Sequence, residues 1–232
     1  MVERGKQIIE EAYKEKRKFL FESESKEICA LYGIPVTKFK VAKNLDEALR
    51  YAEEIGYPLV FKIVSPQVIH KSDIGGVIIN IKNPEEAKKA YNKIIENVKK
   101  NKPDAEIRGI FVQEMAPKGL EVIIGAIRDS QFGPAIMFGL GGIFVEILKD
   151  VTFRIVPITQ KEAEEMIKEI KGYPLLKGYR GQAPSDEKAL VDILIKVSKL
   201  LMDHPEINQL DLNPIFAYEK NAKVIDARII LE

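Results

Sequence analysis

Residues Pro58–Ile81 read PLVFKIVSPQVIHKSDIGGVIINI. Two apolar runs, Pro58–Val64 and Val77–Ile81, flank a loop that carries His70, one of only two histidines in the chain, and the glycine pair Gly75-Gly76. Short runs rich in Val and Ile predict strands, so the segment is strand–loop–strand. Lys62 sits inside the first run. A charge there is costly unless the strand lies at an edge and the side chain reaches water, or unless something pairs with the ammonium. A glycine turn just after a strand lysine has the form of a phosphate-covering loop, in which backbone N–H groups approach the anion while the lysine supplies charge. A plain hairpin also carries paired glycines.

Working outward, the chain alternates irregularly between helix and strand patterns. Upstream stand a charged helix over 2–17, a second around Ser25–Tyr32 that stops at Gly33 and Pro35, a strand over Val36–Val41, and a helix capped by Asn44. Downstream, Asn83-Pro84 opens a long helix. From Ile107 four strand-like runs, IRGIFVQEM, LEVIIGAIRD, PAIMFGL and VTFRIVPI, suggest one antiparallel sheet. Helices capped by Thr159 and Ser185 follow, then a closing hairpin that turns at Glu219-Lys220-Asn221. The expected class is α+β, a single 1–232 domain of two lobes, 22–105 and 1–21 plus 106–232, with Pro103-Asp104 at the boundary.

Composition narrows the functional classes. Lys and Arg number 36 against 35 Asp and Glu, so no net basic field recruits nucleic acid. The longest uncharged run, Ser130 to Val145, falls short of the ~20 apolar residues a membrane span needs. The N-terminus is charged throughout and shows no leader, and a lone Cys29 excludes an internal disulfide, which together lead us to expect a cytoplasmic protein. Abundant Lys and Glu with no Trp hint at a thermophile.

Three further pieces could do chemistry. In Phe111–Glu121, FVQEMAPKGLE, a strand ends at Glu114-Met115, whose backbone could read an adenine edge, and Glu121 seven residues on could accept two ribose hydroxyls. An ordinary loop with two solvated glutamates has the same pattern. The closing hairpin places Asn213 of DLNP almost opposite Asp226 of VIDAR, with Asp211 on the same face as Asn213. Carboxylate and amide oxygens side by side suit Mg²⁺, although Asn-Pro is also a common turn. Glu146, Arg154 and Arg180 are weaker candidates for the same site, each readable as a surface residue. His204, at a helix end before Pro205, is read as structural through the helix dipole.

The order of these pieces resembles the ATP-grasp fold, in which two α+β lobes clasp ATP. The likeness is greatest to the β subunits of ADP-forming acyl-CoA synthetases, the acetate–CoA ligases of archaea among them, with succinyl-CoA synthetase as a cousin. It runs from about Glu22 to the C-terminus and is most specific in HKSDIGGV, DLNPI and VIDAR. The resemblance implies that Lys62, Gly75 and Gly76 contact phosphate, that Glu114, Met115 and Glu121 hold the ADP or ATP nucleoside, and that Asn213 and Asp226 ligate Mg²⁺. It makes His70 a transiently phosphorylated carrier, and Asp211, where succinyl-CoA synthetase has Glu, a residue of the phosphohistidine site. It also implies a separate α subunit holding the CoA and acyl chemistry, expected as an α2β2 assembly. Other ATP-grasp ligases that make an acyl phosphate directly, or a non-catalytic adenine-nucleotide sensor, share the nucleotide pieces without needing His70. The acyl group and the choice of ADP over GDP are not legible in the residues.

Overall fold

The computed structural model describes residues 1–68, 70–142, 150–179, 181 and 183–232. In chain order the elements are α1 (Val2–Lys14), α2 (Glu22–Leu31), β1 (Phe39–Ala42), α3 (Leu45–Ile55), β2 (Leu59–Val64), a 3-10 turn at Ser72–Ile74, β3 (Val77–Ile81), α4 (Pro84–Asn101) and β4 (Gly109–Glu114). There follow β5 (Leu120–Asp129), β6 (Gly133–Leu140), β7 (Val151–Ile155), α5 (Gln160–Glu169), α6 (Tyr173–Leu176), α7 (Glu187–Asp203), β8 (Ile207–Ala217), β9 (Ala222–Val224) and β10 (Ala227–Leu231). Two compact units result: Thr37–Pro117, and Met1–Val36 with Lys118–Glu232.

The smaller unit is an antiparallel sheet in the order β1-β4-β2-β3, backed by α3 and α4. Helix α4 forms because Ala87, Ala90, Ile94 and Val98 recur at helical spacing and are its buried face. Asn83 caps it by accepting the Glu86 amide at 2.9 Å, with Pro84 at the first helical position. Phe61 and Ile63 of β2 pack into this core with Ile94 and Val98, so alternation turns Lys62 to the opposite face. β2 is interior and buried along its whole length, which removes the edge-strand alternative for Lys62.

The larger unit has a sheet ordered β10-β8-β5-β6-β7, with β9 also paired to β8. Its core combines α7 (Leu190, Leu194, Val197, Leu201) with Ile124, Phe138 and Leu212 of the sheet. Cys29 lies wholly buried as a free thiol, its pKa pushed up to about 12 by burial, so it is an inert core residue.

Several expectations shift. IRGIFVQEM does not continue the sheet of the other three runs; as β4 it inserts between β1 and β2 of the smaller unit. That pairing carries the unit boundary past Pro103 to Pro117. At the other end, α2 buries Ile28 and Cys29 in the larger unit's core, so the smaller unit begins at Thr37 and not at residue 22. The first strand starts at Phe39, and Asp186, not Ser185, caps α7 by accepting the Ala189 amide at 3.1 Å.

His204 also departs from expectation. It ends α7 but is fully buried, with neither ring nitrogen hydrogen-bonded; Gly5 approaches so closely that a Cβ there would lie 2.6 Å from Nε2. Burial lowers its pKa, so it is held neutral and does not serve the helix dipole as a cation; Glu206 and Asp203 pull the other way and Lys6 adds to the lowering. Below the unfolded value of ~6.5 the unfolded chain takes up a proton that the folded chain refuses, so stability falls with pH by at most ~1.4 kcal/mol per pH unit until the lowered folded pKa is passed. Urea unfolding at pH 7.5 and 5.5 is expected to show this loss, and His204→Gln to remove most of it. An unchanged slope in that variant would assign the acid sensitivity elsewhere.

Candidate functional site

In the smaller unit, Lys62 lies between Phe111 of β4 and Val77 of β3, 9% exposed, with Nζ 5.7 Å from the Phe111 ring centre. Phe111 in turn stacks on Phe39 at 5.1 Å. Aromatic faces attract the ammonium and stiffen its stem, so the cation stands on a rigid strand. Eight residues on, His70 is exposed in the loop that leaves β2.

The glycine pair behaves differently from a phosphate cradle. Gly75 adopts a left-handed φ of 66° and donates its amide to Ser72 O at 3.1 Å; Gly76 donates to Lys71 O at 2.8 Å. A Cβ on Gly76 would lie 2.7 Å from Ile63 Cγ2. Both glycines are therefore required by a tight turn against β2, and their amides are satisfied inside the loop instead of being turned toward an anion. At the end of β4, the Glu114 carboxylate accepts the Lys38 amide at 2.8 Å, and the Met115 amide donates to Pro58 O at 3.0 Å. These bonds fix the strand end where the adenine contact was expected, and they commit the Met115 N–H to Pro58.

In the larger unit, Glu121 is exposed near the start of β5 and lines a cavity of about 750 Å³ together with Lys118, Ser185 and Tyr218. Gly141 makes room for it: its amide donates to Glu121 O at 2.7 Å, and a Cβ there would come within 3.0 Å of the Glu121 Cβ. Gly141 and Gly142 thus shape the surroundings of Glu121. Glu146 and Arg180 lie outside the described residues. Arg154 is committed to Glu169 on α5 and to the carbonyl of Phe153, so it holds β7 to that helix and does not serve as a phosphate clamp.

The closing hairpin is as expected. Leu212 faces Ala227 and Ile215 faces Val224, which places Asn213 against Asp226; the Asn213 amide donates to Asp226 O at 3.2 Å, and the Ile225 amide to Pro214 O at 2.9 Å. Asp211, paired with Arg228 across the ladder, shares the outward face of β8 with Asn213. Loss of water around the Asp211 carboxyl, and then the like charge of Asp226, raise its pKa, while Arg228 opposes them. Asp211 thus has both a carboxylate and a guanidinium as charged neighbours on this hairpin. With the Asn213 amide oxygen beside the two carboxylates, the donor set is all hard oxygen and fits a divalent cation such as Mg²⁺. No group of three or more His, Cys, Asp or Glu side chains forms a metal cluster among the described residues, so an amide donor is part of the case.

The placement of two residues, Lys26 and Ser185, escapes sequence reading. Lys26 on α2 is fully buried, paired with Glu22 at 3.1 Å and donating to Ile225 O at 2.6 Å, the carbonyl just before Asp226. Its spacing from Glu22 is that of an ordinary exposed helix pair, so only the packing of α2 on β10 reveals it. Ser185 reaches the cavity of Lys118 and Glu121 from a distant part of the sequence, and no local pattern joins it to them.

A family model described as an ATP-grasp domain matches residues 11–231. Acetate–CoA ligase (ADP-forming) I subunit beta of Pyrococcus furiosus is 59% identical over 230 residues, 99% of each chain. The 4-hydroxybutyrate–CoA ligase (ADP-forming) of Nitrosopumilus maritimus is 47% identical over 228 residues, 97% of this chain but 33% of that one. Among solved structures, the dinucleotide-forming acetyl-coenzyme A synthetase 1 of Ca. Korarchaeum cryptofilum, in complex with coenzyme A and Ca-AMPCP, superposes with a TM-score of 0.95 at 53% identity, over 98% of this chain and 100% of that one. The same protein with coenzyme A and Mg-AMPPCP, its phosphohistidine segment pointing towards the nucleotide binding site, gives 0.88 at 49% identity over the same shares.

Proposed function

This chain belongs to the ATP-grasp family, among the nucleotide-binding β subunits of the ADP-forming acetate–CoA ligases, and from that premise we propose that it passes a phosphoryl group through His70 to ADP. The overall reaction is acyl-CoA + ADP + phosphate giving carboxylate + CoA + ATP. The observation that carries this reading is an exposed imidazole on a short loop that follows a rigid strand bearing the buried Lys62. The N–P bond to a donor phosphohistidine on an α subunit breaks as the bond to His70 forms. That bond breaks in turn as a β-phosphate oxygen of ADP attacks, and the imidazole leaves.

Lys62 offsets charge on the phosphates, Glu121 accepts the ribose hydroxyls, and the end of β4 at Glu114-Met115 borders the base. Asp226 and Asn213 hold Mg²⁺, with Asp211 adding charge beside them; when bound, the ion supplies charge neutralisation on the nucleotide phosphates. The partner is an α subunit with the CoA and acyl sites, in an α2β2 assembly in the cytoplasm. The match of this domain to one third of a longer 4-hydroxybutyrate ligase supports placing acyl choice outside it.

The test is reconstitution. The chain alone is expected to label itself from γ-labelled ATP yet form no ATP from acetyl-CoA, ADP and phosphate, and added α subunit is expected to restore turnover. A chain that ligates a carboxylate without a partner would instead be an acyl-phosphate ligase.

A further inference from the structure

The loop that presents His70 is held at both ends. On its entry side Val68 is 4% exposed in the core of the smaller unit, Gln67 Oε1 accepts the Glu106 amide at 3.1 Å, and Gln67 O accepts Lys102 Nζ at 3.1 Å. On its exit side Lys71 O and Ser72 O receive the amides of Gly76 and Gly75, while Gly76 O receives the Ile63 amide of β2 at 2.8 Å. Side chains of α4 then fasten this turn to the helix: Asn97 Nδ2 donates to Gly75 O at 2.9 Å, the shorter bond, and Asn101 Nδ2 to Ile74 O at 3.5 Å. The seat is close, since a Cβ on Gly75 would lie 2.5 Å from Asn97 Nδ2. Asn97 stands on α4, whose Ile94 and Val98 are fully buried, so the anchor is itself immobile.

Two residues, 69 and 70, lie between the buried Val68 and the bonded Lys71. Consecutive Cα atoms are ~3.8 Å apart, so His70 is one link from a fixed point and cannot be carried far by its loop. Its ring can turn about its own side-chain torsions. Gly75 and Gly76 do not loosen the loop, because they permit the tight turn that Asn97 fastens.

We propose that Asn97 is a positioning residue for phosphoryl transfer, and that through Gly75 it makes His70 a stationary relay to which donor and acceptor are brought. This rests on the reading of His70 as the phosphoryl carrier. A stationary nucleophile gains rate from orientation, and a misplacement of about 1 Å can cost ~100-fold. Loosening the turn therefore slows transfer without touching nucleotide binding.

The experiment is rapid-quench labelling of the full chain with γ-labelled ATP and Mg²⁺, for the wild type, Asn97→Ala and Asn97→Ser, with ATP affinity and melting temperature measured on the same samples. Both variants are expected to acquire acid-labile label at His70 about 10- to 100-fold more slowly, at unchanged ATP affinity. A labelling rate that is unchanged or faster overturns the proposal and supports a swinging loop. Wild-type chain that never labels at His70 overturns the carrier reading itself, a distinct result. Amide exchange gives a readout independent of folding losses in the variants: the Gly75 and Gly76 amides are expected to be protected in the wild type, and fast exchange there overturns the anchor directly.

Discussion

Replacing His70 with alanine is expected to abolish the acid-labile, base-stable phosphoenzyme and to cut ATP formation in the reconstituted enzyme by about a thousandfold or more, with ATP affinity unchanged within a few fold. The residue is exposed and its ring enters neither core cluster, so its truncation should leave the melting temperature nearly where it was. Loss of rate with binding intact is the signature of a group used in the transfer and not in holding substrate. The chain supplies its own control, because it has only one other histidine. His204 is fully buried and beyond the reach of any phosphoryl donor, so His204→Gln should label as the wild type does. Label that persists in His70→Ala would defeat the mechanism, leaving a nucleotide-binding subunit without a covalent step.

What was legible in the sequence depended on how local its cause was. Helix starts at Asn44, Asn83 and Thr159 are written in adjacent residues, and the structure bears them out through side-chain bonds to amides three residues on. The Asn213–Asp226 pairing was equally accessible, since one tight turn sets the register of a whole hairpin. The destination of IRGIFVQEM was not accessible in this way. Its strand character is local, but its place between β1 and β2 is decided by cross-strand packing with distant residues. Asn97 and Lys26 were hidden for the same reason: each looks like a helix-surface residue until the element it meets is known. The glycine pair misled because the same residues that open a backbone to an anion also permit a turn to close against a strand.

The second large effect concerns Asp226. Asp226→Asn keeps the side chain's volume and the acceptor that receives the Ala227 amide at 2.9 Å, so the turn into β10 should survive. What it removes is charge, and the consequences differ in sign with and without a divalent cation. In the absence of the ion, Asp226 is part of what raises the Asp211 pKa, so the wild-type fold carries a like-charge repulsion that the variant relieves. In EDTA the variant is therefore expected to melt at the wild-type temperature or slightly above it. In Mg-ADP the order reverses. A ligand at 100 times its dissociation constant stabilises by ~2.7 kcal/mol, and a variant whose affinity for the metal complex drops about 100-fold forfeits nearly all of that at the same concentration. ATP formation should fall by at least as large a factor, because charge neutralisation on the phosphates is needed most as the phosphoryl group moves. Melting curves in EDTA and in saturating Mg-ADP, on wild type and variant together, test both halves. Equal Mg-ADP stabilisation of the two proteins would remove Asp226 from the metal site, whatever happened to the rate.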